Sequence, residues 1–126
     1  LIYFPIYNYT EGDYANVMKM MTHPQALQGL GDGGAHVGTI CDASMPTYLL
    51  SHWTRDRTRG PKLPVERAVQ MMTGDIADFL SLKDRGFIRE GMKADLNIID
   101  YDALQLEPPH MVKDLPAGGQ RLSRSS

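Results

Sequence analysis

Asp32 has the setting in which a carboxylate can do chemistry. It follows a short apolar run at residues 26–30 and precedes two glycines, Gly33 and Gly34. A side chain at the end of a buried strand is held rigidly from behind, and glycines allow a ligand to approach the backbone closely. A simple turn explains the same residues, because Asp-Gly is among the commonest turn pairs. The dipeptide alone leaves both interpretations open.

Three further side chains could take part in such a site. His36 lies just beyond the glycines and could hydrogen-bond a substrate or bind a second metal, although a loop histidine bonded to the backbone fits equally well. Arg55 and Arg57 could hold a substrate carboxylate through paired hydrogen bonds. Arginines at the exposed end of a helix are the simpler explanation for both. His36, Arg55 and Arg57 are therefore candidate substrate-binding residues.

The histidines and the single cysteine show no pattern for a complete metal site. Neither His-x-His nor His-Glu-x-x-His occurs in the sequence, so the chain holds no self-sufficient zinc site. His52 shares an apolar helical face with Trp53, which favours a core histidine. Cys41 would need a partner histidine to act as a nucleophile, and buried inert cysteines are far commoner.

The composition is that of one soluble globular domain. Apolar residues make up 42% and charged residues 22% of the 126 residues, and the formal net charge is -2. A nearly neutral chain gives no reason to expect nucleic acid or an anionic membrane as a partner. The lone cysteine excludes an internal disulfide framework, and no stretch approaches the roughly 20 apolar residues that span a bilayer. We therefore expect a cytoplasmic protein.

The elements before Asp32 are predicted in the order strand, helix, strand. Residues 1–9 are apolar and aromatic, as in a strand, and residues 26–31 form a second candidate strand. Between them, apolar residues repeat at the spacing of one helical face: Tyr14, Val17, Met18 and Met21. Parallel strands place active sites at their C-terminal ends. This order puts Asp32 at the edge where ligands bind.

More helices and one more strand are predicted further along the chain. A helix over residues 46–57 follows a cap at the preceding polar residues. A second helix begins near Val65 and is interrupted at residues 73–75 before its apolar pattern continues. Residues 94–101 are predicted to form a strand. The polar end of the chain, residues 121–126, is predicted to be disordered.

Four sequence blocks together carry a family resemblance. They are Gly-Leu-Gly-Asp-Gly-Gly-Ala-His-Val-Gly at residues 29–38, His-Trp-Thr-Arg-Asp-Arg at 52–57, Pro-Val-Glu-Arg-Ala-Val at 64–69, and Gly-Met-Lys-Ala-Asp-Leu-Asn-Ile at 91–98. In this combination the chain resembles the N-acyl-D-amino-acid deacylases of the amidohydrolase superfamily, of which D-aminoacylase is the best-known type. The resemblance covers roughly residues 2–120.

The resemblance implies an α/β fold: the last two βα units of a metal-dependent (β/α)8 barrel, a TIM barrel, plus the start of the C-terminal β-sandwich segment. Residues 1–82 would belong to the barrel, with 1–9 as its seventh strand and 26–31 as its eighth. Residues 83–120 would return into the small β-sandwich domain, and 121–126 would form a disordered tail. A barrel of this kind needs about 250 residues, so we expect the true N-terminus to lie upstream.

The resemblance also implies hydrolysis of the linear amide bond of an N-acyl-D-amino acid. Asp32 would contact both the metal and its bound water, accept the proton of that water as general base, and later deliver it to the leaving amine. The metal would be zinc, which would lower the pKa of the water and polarise the carbonyl. The other metal ligands would lie upstream, so we expect the isolated chain to be a catalytically inactive fragment.

Two alternatives remain open on the sequence. Cyclic-amide hydrolases of the same superfamily rarely carry the sequence motifs found at residues 29–38 and 52–57. They are therefore ranked behind the deacylases. A non-catalytic α/β assembly or binding module would explain why Asp32 is the only metal-centre residue present. Two neighbouring barrel strands cannot close a barrel, so their exposed edges must pair or be covered. Self-association of the strand edges is therefore expected.

Overall fold

Helices supply most of the regular structure. The computed structural model describes residues 11–29, 31 and 34–125. In chain order its elements are helix α1 (Ala15–Met21), helix α2 (Met45–Tyr48), a π-helix (Leu49–Asp56), helix α3 (Val65–Met72), helix α4 (Gly74–Phe79), strand β1 (His110–Val112), a 3-10 turn (Pro116–Gly118) and strand β2 (Arg121–Ser123). This mixture is compatible with an α/β class. Residues 1–9, the predicted seventh barrel strand, lie outside the described part, as does Asp32.

Helix α1 confirms the helical stripe that the sequence predicts. A carboxylate oxygen of Asp13 accepts a hydrogen bond from the backbone N–H of Ala15 at 2.8 Å, which satisfies one donor at the start of the helix. The helix ends at Met21, just before the His23-Pro24 pair. All four stripe residues are partly buried against the core: Tyr14, Val17, Met18 and Met21.

The predicted helix over residues 46–57 is present, but most of it, Leu49–Asp56, is wound as a π-helix. The backbone N–H of Arg57 bonds to the carbonyl oxygen of His52 at 2.9 Å, five residues back, which is the π spacing. The buried side of this π-helix carries two successive leucines, Leu49 and Leu50, together with Trp53. Within the described residues, no helix is long and apolar enough to cross a membrane.

The core forms where the π-helix packs against helix α3. Its buried residues are Leu49, Leu50, Trp53, Leu63, Ala68 and Met71. Ala68 has no exposed surface, and that small side chain lets the two helices approach closely. Helix α3 ends at Met72, and the next residue, Thr73, has a φ of -127° and a ψ of -84° that separate it from α4. The interruption predicted at residues 73–75 is therefore confirmed.

Two predicted strands are absent from the described residues. Residues 26–29 and 31, assigned above to the eighth barrel strand, form neither strand nor helix. Residues 94–101 pair with no other strand in the described chain, and the side chain of Ile98 is fully exposed there. The physical reason is that a strand exists only through ladder hydrogen bonds to a neighbour. Among the described residues, neither segment pairs with a neighbouring strand.

The disordered tail predicted at residues 121–126 is wrong in its first half. Arg121–Ser123 forms strand β2 and pairs antiparallel with β1, with Met111 opposite Leu122. The N–H of Leu122 also bonds to the carbonyl oxygen of Val37 at 2.7 Å, which ties this short sheet to the loop after Asp32. The division of the chain at residues 82 and 83 into barrel and sandwich parts stays a prediction.

We expect the substitution Gly86→Ala to destabilise the fold strongly. Gly86 has a φ of +89°, and a Cβ added to it would lie only 2.4 Å from the Cβ of Ala77, which is buried. Gly91 supplies a matched control, since its φ is +81° and an added Cβ would meet nothing within 4 Å. The free energy of unfolding should fall by about 1–3 kcal/mol more in Gly86→Ala than in Gly91→Ala. Equal losses in urea denaturation would contradict the packing argument.

Candidate functional site

The loop that carries Asp32 is described through the residues on either side of it. A Cβ added to Gly31 would lie 2.8 Å from the carbonyl oxygen of Asp42, so the backbone before Asp32 passes in close contact with the far end of the same loop. Residues 34–39 form a turn, in which Gly34 has a φ of +92°. Glycine is therefore needed on both sides of the candidate catalytic residue.

His36, a predicted substrate-binding residue, lies on the exposed tip of this loop. Its φ of +45° is unusual for a residue with a side chain. Its carbonyl oxygen accepts hydrogen bonds from the N–H groups of Thr39 at 2.7 Å and Ile40 at 3.0 Å. The backbone of His36 thus closes the turn, and its exposed side chain is accessible to a ligand. The predicted contact with a substrate stays a prediction.

Arg55, the second of these residues, has all five of its N–H donors engaged within the chain. Nε and Nη2 donate to the two carboxylate oxygens of Asp56, at 2.6 and 2.9 Å. Nη1 donates to the carbonyl oxygens of Tyr101 and Asp102, and Nη2 also donates to that of Leu104 at 2.5 Å. These bonds fasten residues 101–104 to the π-helix. A substrate carboxylate could bind Arg55 only by displacing some of them.

Arg57, the third, is buried and stacks on the indole of Trp53. Its guanidinium carbon lies 4.5 Å from the ring centroid, and the residue is only 5% exposed. Nε and Nη1 are buried with no hydrogen-bond partner in the described part of the chain. A cation with unsatisfied donors is costly in a protein interior, although the stacking on an aromatic face offsets part of that cost. Arg57 therefore retains free donors for an acceptor such as a carboxylate.

His52 occupies an aromatic cluster beside Arg57. Its ring stacks on Tyr48 with centroids 4.7 Å apart, and it meets Trp53 edge-on at 5.4 Å. Burial, and secondarily the positive charge of Arg57, lower the pKa of His52, while Asp56 acts in the opposite direction. Its Nε2 atom is buried and unpaired among the described residues. The core role predicted for this histidine fits its packing, but the hydrogen bond expected of a satisfied histidine is missing at Nε2.

An apolar cleft of about 1440 Å³ borders the Asp32 loop. Side chains of the π-helix, helix α3 and residues 96–99 line it, and Gly29 and Gly31 reach it from the N-terminal side of Asp32. Cys41, the free thiol, is half-buried in the same loop. In the described ranges, which leave out Asp32, no group of three His, Cys, Asp or Glu side chains comes together, so these residues alone supply no zinc site.

The sequence pattern of the amidohydrolase family matches residues 7–119. This chain belongs to that family. The match includes the loop of Asp32, the π-helix and both arginines discussed above. The match confirms the predicted amidohydrolase superfamily. It does not test the more specific prediction of a deacylase.

Relatives of this amidohydrolase are much longer than the chain itself. Uncharacterized proteins of Mycobacterium bovis and Mycobacterium tuberculosis are each 32% identical over 83 residues, which is 65% of this chain and 13% of theirs. A 5-methylthioadenosine/S-adenosylhomocysteine deaminase of Pelotomaculum thermopropionicum is 36% identical over 86 residues, 68% of this chain and 20% of that protein. The chain thus spans about an eighth to a fifth of these proteins. No solved structure matches it.

One contact of the site was not predicted from the sequence. The hydroxyl groups of Thr54 and Tyr101 lie 2.6 Å apart and share a hydrogen bond, which supports the bonds that Arg55 makes to the same segment. The motif His-Trp-Thr-Arg-Asp-Arg identifies the helical half of this contact. The sequence gives no sign that Tyr101, 47 positions further along the chain, is the partner of Thr54.

We expect Arg55→Lys to loosen residues 101–104 without unfolding the core. Lysine has three donors on one atom and cannot reproduce the planar five-bond pattern of arginine. Amide hydrogen exchange in this segment should become roughly tenfold faster. Arg59→Lys is the control, because Arg59 is exposed and within the described residues makes only a hydrogen bond to the carbonyl oxygen of Gly12 at 3.0 Å and an ion pair with Asp13 at 3.7 Å. Unchanged exchange in Arg55→Lys would show that the bonds do not hold the segment.

We expect acid to destabilise the aromatic cluster through His52. The folded state lowers the pKa of His52 below its ordinary value of 6.5, so the folded chain binds its proton less readily than the unfolded chain. The free energy of unfolding should therefore fall as the pH drops below about 6.5, the ordinary value. His52→Phe should remove this part of the pH dependence, and His110→Gln, at an exposed position, should retain it. Identical profiles for all three proteins would refute the assignment.

Proposed function

We propose that the whole protein is a hydrolase that cleaves a carbon–nitrogen bond, and that this bond is the linear amide of an N-acyl-D-amino acid. Family membership over residues 7–119 is the observation that carries the first half. The deaminase among the relatives is consistent with it, because deamination is also hydrolysis of a carbon–nitrogen bond. The proposed amide substrate rests on the sequence motifs at residues 29–38 and 52–57, which resemble those of the deacylases.

Asp32 is the proposed proton-transfer residue. Its carboxylate accepts a proton from a water molecule, whose oxygen bonds to the acyl carbon. When the carbon–nitrogen bond then breaks, the protonated carboxyl group delivers that proton to the leaving nitrogen, giving a carboxylic acid and a free amine. The close passage of Gly31 against Asp42 supports this role, because it fixes the backbone directly before Asp32.

Zinc is proposed for the whole enzyme on the strength of the resemblance alone. When bound, it would supply Lewis-acid activation of the carbonyl and the water. The described residues, which leave out Asp32, contribute no cluster of ligands, and Asp32 is proposed as one ligand of the metal as well as the proton-transfer residue. The other ligands would come from parts of the protein beyond this sequence, and the 126-residue chain on its own should be inactive.

Arg57 and His36 are the better supported of the proposed substrate-binding residues. Among the described residues, Nε and Nη1 of Arg57 have no hydrogen-bond partner, and such donors match the acceptor oxygens of a carboxylate. Its burial requires that a substrate reach it through a rearrangement of the surrounding side chains. His36 is exposed on the loop of Asp32. Arg55 is the weakest of the three, since its donors already hold residues 101–104.

The test is turnover by the full-length protein and its Asp32→Asn variant. Removing the proton-transfer group should lower kcat by about 10²–10⁴-fold. Asp42→Asn provides the control, because Asp42 is an exposed carboxylate at the other end of the same loop. Full activity in Asp32→Asn would contradict the role of Asp32.

The substrate half of the proposal is tested with a panel of compounds. N-acetyl-D-amino acids, their L-enantiomers, a cyclic amide and 5-methylthioadenosine are each incubated with the full-length protein and with the 126-residue chain. We expect turnover of the D-amino-acid derivatives by the full-length protein only. Turnover of the nucleoside or the cyclic amide alone would retain the hydrolase and reject the deacylase. Turnover by the short chain would contradict its expected inactivity.

A further inference from the structure

The guanidinium of Arg57 is enclosed between an aromatic ring and a glycine. Its carbon lies 4.5 Å from the centroid of the Trp53 indole. The backbone of Gly60 also comes close, because a Cβ added there would lie 2.5 Å from Nη2 and 3.3 Å from Nε and Cζ of Arg57. Any side chain at residue 60 would therefore collide with the guanidinium, and only glycine lets the backbone pass at this distance. Gly60 thus covers the group for which a carboxylate ligand is proposed.

The covering loop, residues 58–62, is the part of this enclosure that can move most easily. All five of its residues are exposed, and none of them belongs to a helix or a strand. The residues on either side of it are fixed. The N–H of Arg57 bonds to the carbonyl oxygen of His52 at 2.9 Å. The N–H of Leu63 bonds to that of Trp53 at 2.8 Å. Exposed segments with few packed contacts open at a lower free energy than the core, so the loop can open while the π-helix stays folded.

Arg59 fastens the middle of the covering loop to the residues before helix α1. Its Nη1 donates to the carbonyl oxygen of Gly12 at 3.0 Å, and its Nη2 lies 3.7 Å from a carboxylate oxygen of Asp13. At the end of the loop, the ammonium group of Lys62 donates to the carbonyl oxygen of Arg55. The side chain of Arg59 is 74% exposed, so water competes for its two contacts and they are weak. The loop is therefore closed by contacts that are easily broken.

We propose that the covering loop is a gate, which Arg59 holds closed and whose opening admits a small free carboxylate or similar anion to Arg57. Among the described residues, Arg57 has neither a counter-charge nor a hydrogen-bond partner at Nε and Nη1. A buried cation in that state is costly, and a bound anion would supply both the charge and an acceptor. This inference rests on the proposed role of Arg57 in binding the substrate carboxylate, but its tests do not require hydrolysis.

The first test measures how fast phenylglyoxal, a reagent for guanidinium groups, modifies each arginine of the 126-residue chain, with peptide mass spectrometry as the readout. We expect Arg59→Met to raise the rate at Arg57 by about threefold or more, because loss of its weak contacts increases the open population. Lys113→Met is the matched control, since it also removes one positive charge, at an exposed position outside the covering loop. An unchanged rate at Arg57 in Arg59→Met would overturn the gate.

Arg67 serves in the same samples to distinguish opening of the loop from unfolding of the core. It is half-buried on helix α3, and its Nη1 bonds to a carboxylate oxygen of Asp75 at 2.6 Å. Its rate of modification should be the same with and without Arg59→Met. A parallel rise at Arg57 and Arg67 would show that the substitution loosens the whole fold, and this result would also overturn the gate.

The second test addresses the cover itself through Gly60→Ala. The added Cβ would lie against the guanidinium, and the φ of +87° at residue 60 is strained for alanine. The loop should then fail to close, and phenylglyoxal should modify Arg57 at least about threefold faster. Gly91→Ala is the control, because it has a similar φ of +81° and its added Cβ meets nothing within 4 Å. Equal rates at Arg57 in the two variants would contradict the covering role of Gly60.

The third test addresses the anion. Sodium acetate or inorganic phosphate is added before phenylglyoxal, and sodium chloride at the same ionic strength is the reference, so that general screening is equal. We expect acetate and phosphate to slow the modification of Arg57 in a saturable manner and to leave that of Arg89, which is exposed, unchanged. Failure of both anions to protect Arg57 would overturn the anion site.

The same labelling of the full-length protein distinguishes a free anion from an acidic side chain supplied by the rest of the protein. For a free anion, Arg57 should react when no anion is added and should be protected by acetate. If Arg57 reacts only after the full-length protein unfolds, a permanent partner occupies it and the gate is rejected. Turnover is measured separately, so a protein that binds acetate but hydrolyses nothing would retain the gate and reject the hydrolase.

Discussion

The rest of the structure depends on the contact between the π-helix and helix α3. Trp53, with Leu49 and Leu50, packs there against Ala68 and Met71. Within the described residues this is the one place where several large apolar side chains are removed from water together. Burying each such side chain contributes about 1.5–3 kcal/mol, while a short isolated helix is marginal in water. The neighbouring helices and loops are therefore held in place chiefly by their contacts with this cluster.

Arg55 extends the order of that cluster to a distant part of the chain. The π-helix is held in place by its packing in the core. The guanidinium of Arg55 donates hydrogen bonds to the backbone of residues 101–104 and so fixes this segment relative to the helix. The adjacent Asp56 fixes the fork in turn, and the hydrogen bond from Arg55 lowers the pKa of Asp56. One charged side chain thus holds this segment in place, as backbone hydrogen bonds between strands would in a sheet. It gives residues 101–104 a defined position on the π-helix.

Local patterns in the sequence predicted local structure well and long-range structure poorly. Helix α1 and its stripe were predictable, because residues three and four apart settle which face is buried. The π winding was not predictable. It differs from an α-helix only in that each backbone N–H bonds to the carbonyl oxygen five residues back and not to the one four residues back. Strands at 26–31 and 94–101 failed because pairing depends on a neighbour that apolar alternation cannot supply. For the candidate site, the sequence suggested the arginines as substrate-binding residues, which stays a prediction, and gave no sign of the segment 46 residues away that Arg55 binds.

The position of the sole tryptophan gives the protein a built-in optical reporter. Trp53 is 5% exposed, lies beneath the guanidinium of Arg57 and touches the ring of His52. The tryptophan emission of this chain therefore originates from one indole in the core, and its wavelength reports whether water has reached that core. A protonated imidazole quenches a neighbouring indole. The intensity of the same emission should thus follow the charge of His52. One spectrum therefore distinguishes opening of the aromatic cluster, seen in the wavelength, from protonation of His52, seen in the intensity.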